Sequence, residues 1–274
     1  MFLRVNLDTK LKKRGIISLL TDFGTRDAYV GAMKGVLLGL APLSTLVDIS
    51  HVVTKHNILQ GAFLLSQVSS YFPVGSVHLV VIDPGVGTSR RRVIIQGRRY
   101  FYVGPDNGVL SLAVKKEGIV KIINIENEKY LLPHPSRTFE GRDIFAPVAA
   151  HLANGVSVEE FGSEIADITT VSLKRPHLRG QSLVGAIIYI DSFGNLLTNF
   201  SKNILKGIPQ KDFVEITIGK TSQRIPLYRT YAEVSLGSLL LISGSSGFLE
   251  VAVNQGRAAK IFKCRVGDEV LLTL

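Results

Sequence analysis

The sequence predicts an α/β protein in two parts: a layered α/β domain, then a smaller domain that is an antiparallel sheet or a small barrel. Three observations lead there. Short apolar runs alternate with stretches of helical periodicity up to about residue 154, the pattern of strands and helices layered on one sheet. One run, 76–82, is apolar almost throughout, as a strand buried on both faces requires. Beyond Lys174-Arg175-Pro176 the helical pattern fades, and β-rich segments separated by Gly, Ser and Pro take over. The boundary is expected near 174–181, which gives domains 1–175 and 176–274.

Residues 16–20 read as a first strand, closed by the polar turn Thr21-Asp22-Phe23-Gly24. A helix follows over 27–40, with Asp27 placed to cap its first turn. Residues 45–49 form a second strand, and 57–71 an amphipathic helix stopped by Pro73. After the buried strand 76–82, segments 92–96 and 100–103 make a hairpin through Gly97 and Arg98. A helix over 142–154 closes this part. In the second part the strand-like segments are 183–190, 213–218, 239–242 and 270–274.

Composition narrows the function classes. With 46% hydrophobic and 20% charged residues, the chain is neither disordered nor short of core. The single cysteine, Cys264, cannot form an intrachain disulfide. A reducing, cytoplasmic setting and a structural thiol are expected. Residues 1–15 carry Arg4, Lys10, Lys12, Lys13 and Arg14 without the apolar core of a signal peptide, and no stretch reaches the roughly 20 apolar residues of a membrane span. The net charge of +10 raises nucleic acid as a partner. The densest runs are Arg90, Arg91 and Arg92, with Arg98 and Arg99 nearby. No zinc-finger spacing, RNP-like pattern or helix-turn-helix signature supports that partner, so most of the surplus is assigned to a solvated face. The six histidines are scattered. His51 and His56 suit supporting roles, His56 beside a ribose site, and neither a metal nor a cofactor is expected.

Three polar, glycine-bearing clusters sit where strands should end, the usual ligand position in open α/β sheets. In Asp22-Phe23-Gly24-Thr25-Arg26-Asp27 two carboxylates can face one ligand, or serve a turn and a helix cap. In Asp83-Pro84-Gly85-Val86-Gly87-Thr88-Ser89-Arg90 an acid and an arginine can pair locally; the third glycine of a nucleotide-phosphate fingerprint is absent. In Thr138-Phe139-Glu140-Gly141-Arg142-Asp143, Asp143 caps a helix or pairs with Arg142, whereas Glu140 before a glycine is harder to explain structurally. In the second part, Asp191-Ser192-Phe193-Gly194-Asn195 and Ser243-Gly244-Ser245-Ser246-Gly247-Phe248 interrupt strands. Phe193 offers a stacking face and Asn195 an amide to a purine-like group, although a plain turn explains each of them singly.

Taken in order, TDFGTRDAYVGAMKG (21–35), DISH (48–51), VVIDPGVGTSRR (80–91), YVGPDNGVLS (102–111), TFEGRDIFAP (138–147), IDSFGNLLTN (190–199) and GSSGFLEVAVNQG (244–256) resemble the S-adenosylmethionine hydrolase (SAM hydroxide adenosyltransferase) family, relatives of the 5′-fluorinating and 5′-chlorinating enzymes. The resemblance spans nearly the whole chain after Gly15. It implies a fluorinase-like fold with a C-terminal β-barrel, a homotrimer with sites at subunit interfaces, and hydrolysis of S-adenosylmethionine to adenosine and methionine. It places Asp22 on the ribose hydroxyls, Asp27 and Asp191 on the methionyl ammonium, and Ser245 at the methionine end. Phe193 and Asn195 fall on adenine, helped by backbone around Val253 and Gln255. Asp83 and Arg90 match two members of the family's water-handling triad. The third, a histidine in TFHGRD, is replaced here by Glu140, with His134 six residues upstream.

A sulfonium is already an activated leaving group, so the site need only place water in line with the C5′–S bond and take its proton. Glu140 either accepts that proton or steadies Arg90. The alternatives are a non-catalytic S-adenosylmethionine- or adenosine-binding protein, and a 5′-halogenase, which a carboxylate at position 83 disfavours by repelling halide.

Overall fold

A computed structural model describes residues 15–205 and 212–273; most of the basic leader lies outside them. The chain divides into two compact units between Ser172 and Leu173.

The first unit runs β1 (Ile16–Thr21), α1 (Tyr29–Leu40), β2 (Thr45–Ser50), α2 (Ile58–Val68), β3 (Val77–Val81), β4 (Arg92–Gly97), β5 (Phe101–Pro105), α3 (Ser111–Glu117), β6 (Ile119–Asn124) and α4 (Ala146–Ala153). Its six-stranded sheet has the order β2-β1-β3-β5-β4-β6. β1 pairs in parallel with β2 and β3, and β3 with β5, while β4 is antiparallel to β5 and β6. Every residue of β3 is buried, because alternate side chains enter two separate cores. Val77, Leu79 and Val81 meet Met33 and Leu37 of α1 and Val148 and Ala149 of α4. Val80 on the other face joins Leu65 of α2 and Ala113 and Val114 of α3.

Two local expectations need correction. Asp27 does not cap α1: the cap position falls on Ala28, which makes no side-chain cap bond, and Asp27 lies exposed in the preceding bends. The expected helix over 142–154 is two pieces, a π-helical turn at Gly141–Phe145 followed by α4. Asn57 does cap α2, accepting a hydrogen bond of 3.0 Å from the Gln60 N–H. Helix α3 is ended by Gly118 at φ +97°, a left-handed conformation suited to glycine.

His78 is a buried histidine of this sheet that lies away from the clusters. It is fully buried, its Nδ1 is 2.6 Å from Ser18 Oγ, and Phe72, Tyr100 and Tyr102 surround its ring at centroid distances of 5.1, 5.3 and 5.1 Å. Burial pushes its pKa down to about 4 from 6.5. Between those values the unfolded chain binds a proton that the folded chain refuses, so this stabilisation is complete above pH 6.5 and is lost as pH falls toward 4. Lowering the pH from 7 to 4.5 should therefore destabilise the wild type by about 2–3 kcal/mol more than a His78→Gln variant. Urea unfolding at the two pH values measures this, and equal losses would refute it.

The second unit contains β7 (His177–Arg179), β8 (Ser182–Ile190), β9 (Leu196–Ser201), β10 (Phe213–Ile218), β11 (Thr221–Tyr228), β12 (Leu239–Ser243), β13 (Phe248–Val253), α5 (Ala258–Phe262) and β14 (Glu269–Thr273). Strands run in the order β14-β10-β11-β12-β13-β9-β8, and β14 pairs back to β8, so the sheet closes into a seven-stranded barrel. All its pairings are antiparallel except the short one between β11 and β12, which is parallel. Phe200, Val214, Ile216, Ile225, Leu241, Leu249 and Val251 are among the residues filling the interior. Cys264 packs half-buried against that core, and burial pushes its thiol pKa up, as befits a structural role. No helix among the described residues is long and apolar enough to cross a membrane.

Candidate active site

The sheet order reverses at β1. The crossover through α1 places β2 on one side of β1, and the crossover through α2 places β3 on the other. Carboxyl ends on either side of such a reversal diverge and leave a crevice for ligands. Thr21 and Val81 are register partners at that end. Asp22 comes one residue after the first, and Asp83 two after the second.

Close approaches seat these residues. A Cβ on Gly61 of α2 would stand 2.1 Å from Ile82 Cδ1, so the glycine lets the helix lie close against the residue preceding Asp83 with the Ile82 side chain undisturbed. Asn107 Nδ2 donates to the Ile82 carbonyl at 2.9 Å. Gly87, at φ +79°, would with a Cβ stand 2.7 Å from the Arg137 carbonyl. The loop from Asp83 to Arg90 thus lies directly against the segment leading into Glu140.

Asp83, Arg90 and Glu140 meet there. Arg90 Nε donates to Asp83 Oδ1 at 2.8 Å, and its Nη2 donates both to Asp83 Oδ2 and to Glu140 Oε2. The Asp83 and Glu140 side chains are 5% and 1% exposed, so the two negative charges share one desolvated cation. A second arginine completes the group: Arg92 donates to Glu140 Oε1 through Nε at 3.1 Å and Nη2 at 2.7 Å.

The two carboxyls are tuned apart. Burial holds Asp83 above the ordinary carboxylate range, and the Glu140 charge adds to this against the pull of Arg90. Burial acts the same way on Glu140, but the hydrogen bonds from Arg92 and Arg90 outweigh it and hold Glu140 below its ordinary value. A carboxylate with the higher proton affinity beside one fixed in its ionised form is a usual acid–base assignment.

Asp22 is buried, and its Oδ2 accepts the His56 N–H at 2.8 Å. His51 Nδ1 is 2.9 Å from Thr21 Oγ1 and its Nε2 is 3.0 Å from Asp48 Oδ1. The 48–57 segment therefore props the end of β1. Phe23, Tyr29 and Phe139 form an aromatic trio with centroids 5.3–5.9 Å apart, an apolar wall joining the first and third clusters. Asp143 pairs with Arg142 Nε at 2.6 Å and accepts the Ser136 N–H at 2.8 Å, a structural role. His134 is exposed.

In the second unit, Asp191 Oδ1 accepts the Asn195 N–H and Oδ2 the Asn195 side-chain N–H, both at 2.9 Å. This leaves Asn195 Oδ1 for a ligand, and Phe193 is 72% exposed. Ser245 and Gln255 are exposed, and Val253 is buried at the end of β13. Glu250, a residue the sequence did not flag, is buried, accepts the Tyr231 hydroxyl, and is raised in pKa by burial and, in lesser part, by the Asp191 charge.

Within the basic surplus, Arg98 and Arg99 are exposed, whereas Arg90, Arg91 and Arg92 each hold a carboxylate. Arg91 pairs with Asp106 at 2.7 Å and Asp167 at 2.8 Å, while Arg90 and Arg92 turn to Glu140. Arg92 opens β4, while Arg90 and Arg91 lie in the loop just before it. Among the described residues no three His, Cys, Asp or Glu side chains are grouped to hold a metal ion.

Residues 17–162 match the family described as SAM hydroxide adenosyltransferase N-terminal domain, and residues 185–271 its C-terminal domain. A protein of Salinispora tropica named (R)-S-adenosyl-L-methionine hydrolase is 37% identical over 262 residues, covering 94% of this chain and 97% of its own. A fluorinase of an Actinoplanes species is 29% identical over 289 residues, covering 94% and 97%. Among solved structures, an uncharacterized conserved protein from Thermotoga maritima superposes with a TM-score of 0.90 at 35% identity, covering 94% of this chain and all of that one.

Proposed function

The chain belongs to the SAM hydroxide adenosyltransferase family, and from that premise we propose the chemistry of its site. It hydrolyses S-adenosylmethionine to adenosine and methionine. The observation that carries the mechanism is the buried Asp83–Arg90–Glu140 group at the carboxyl end of β3. A water held between the Asp83 carboxylate and the Arg90 guanidinium attacks C5′ in line with the sulfonium. The O–C5′ bond forms as the C5′–S bond breaks, the electron pair leaves on sulfur as the neutral thioether of methionine, and the water's proton passes to Asp83 and on to solvent. No acid is needed at sulfur, and we assign no metal or cofactor to the reaction.

Asp22 holds the ribose hydroxyls, and Asp27 and Asp191 the ammonium. Ser245 meets the methionine end, and Phe193 and Asn195 meet adenine, with backbone at Val253 and Gln255. The support is sequence motif by motif, together with the exposed faces of Asp27, Phe193, Ser245 and Gln255. We also propose a homotrimer with its sites at subunit interfaces and a cytoplasmic location, which the lone cysteine supports. Halide transfer is disfavoured, because Asp83 and Glu140 would repel an anion approaching C5′.

Incubation with S-adenosylmethionine should yield adenosine and methionine in equal amounts by chromatography. Tight binding without products would instead identify a binding protein.

A further inference from the structure

Glu140 is almost fully buried, and both of its oxygens are committed: Oε2 to Arg90, and Oε1 to two donors of Arg92. Arg90 cannot serve alone, because its Nη2 already divides between Asp83 and Glu140. Two desolvated carboxylates on one guanidinium would leave a net negative charge inside the protein, at high cost. Arg92 brings the group of four to neutrality. Its backbone is fixed at the start of β4, paired with Pro105 and accepting the Ile125 N–H at 2.8 Å. Its side chain, 36% exposed, reaches in from the rim.

We propose that Arg92 is a positioning residue of the hydrolytic site, locking Glu140 as an ionised anchor for Arg90 so that Asp83 alone is left to take the proton. This rests on the hydrolytic reading above. Without Arg92, the Oε1 side of Glu140 loses its counter-charge. Glu140 then competes for Arg90 and draws it away from Asp83, and the uncompensated charge makes both carboxyls harder to ionise. The directions of the two pKa shifts agree with this division: Arg92 is the leading partner holding Glu140 low, and the Glu140 charge helps to hold Asp83 high.

The test is a double-mutant cycle between positions 92 and 140, read by kcat, KM and the pH profile of kcat. Arg92→Gln should lower kcat about tenfold with KM within about twofold, and move the acid limb of the profile upward by about half a pH unit or more. Arg92→Lys should recover most of that loss. In a Glu140→Gln background, Arg92→Gln should cost less than about twofold, since the group it acts through is already neutral. Equal losses in both backgrounds, or a change in KM alone with an unmoved acid limb, would overturn the proposal while leaving hydrolysis intact. Wild-type protein that binds S-adenosylmethionine but forms no products would overturn the hydrolytic reading, and this proposal with it.

Discussion

Replacing Asp83 with asparagine is expected to lower kcat by about 10³-fold while the protein still binds S-adenosylmethionine within about threefold of wild-type affinity. The amide matches the carboxylate in size and can still meet Arg90, but it cannot take a proton from water. Asp83 is the carboxyl of the pair that burial raises toward proton uptake, and Glu140 is the one held ionised by two arginines. Glu140→Gln should therefore cost less than Asp83→Asn, about 10- to 100-fold, through a loosened Arg90. Single-turnover rates and calorimetric affinities for the two variants check the ordering. The reverse ordering would transfer the proton-accepting role to Glu140.

Arg90→Leu is expected to damage folding as well as catalysis. It strands Asp83, 5% exposed, without a cation and leaves Glu140, 1% exposed, to Arg92 alone. Breaking a buried pair in this way typically costs about 3–5 kcal/mol, a fall in Tm of roughly 10 °C for a protein of this size. The cause is separable from lost packing, including the contact of Arg90 with the Phe145 ring at 5.5 Å. Adding Asp83→Asn to Arg90→Leu removes the stranded charge, so the double variant should melt several degrees above Arg90→Leu alone. If the double variant melts lower still, packing rather than charge is the dominant role of Arg90.

Five strands of the first unit were readable from the chain, because each carries its own local signal, whereas α3 (Ser111–Glu117) and β6 (Ile119–Asn124) were not anticipated. The run at 76–82 is apolar on both faces since both faces are covered, and the Asn57 cap and Pro73 mark the ends of the second helical segment. Asp83 and Arg90 were legible as a pair because the six residues of glycine-bearing loop between them can fold back. Glu140 stood out only as a carboxylate before a glycine, and its partnership across fifty residues is tertiary.

The role of Arg92 was not legible. A third consecutive arginine reads as surface charge until the strand alternation that turns it inward is known. The π turn at Gly141–Phe145 was equally hidden, since its sequence suits an ordinary helix start and only packing selects the wider turn. Asp27 shows the opposite error: a good capping residue one position short of the cap it was expected to fill.

The central claim is that water, placed by Asp83 and Arg90, attacks C5′ of the substrate. Turnover of S-adenosylmethionine in oxygen-18 water, with mass spectrometry of both products, tests it most directly. The account predicts one labelled oxygen on the 5′ carbon of adenosine and none in methionine. Label in the methionine fragment, or unlabelled adenosine, would contradict it.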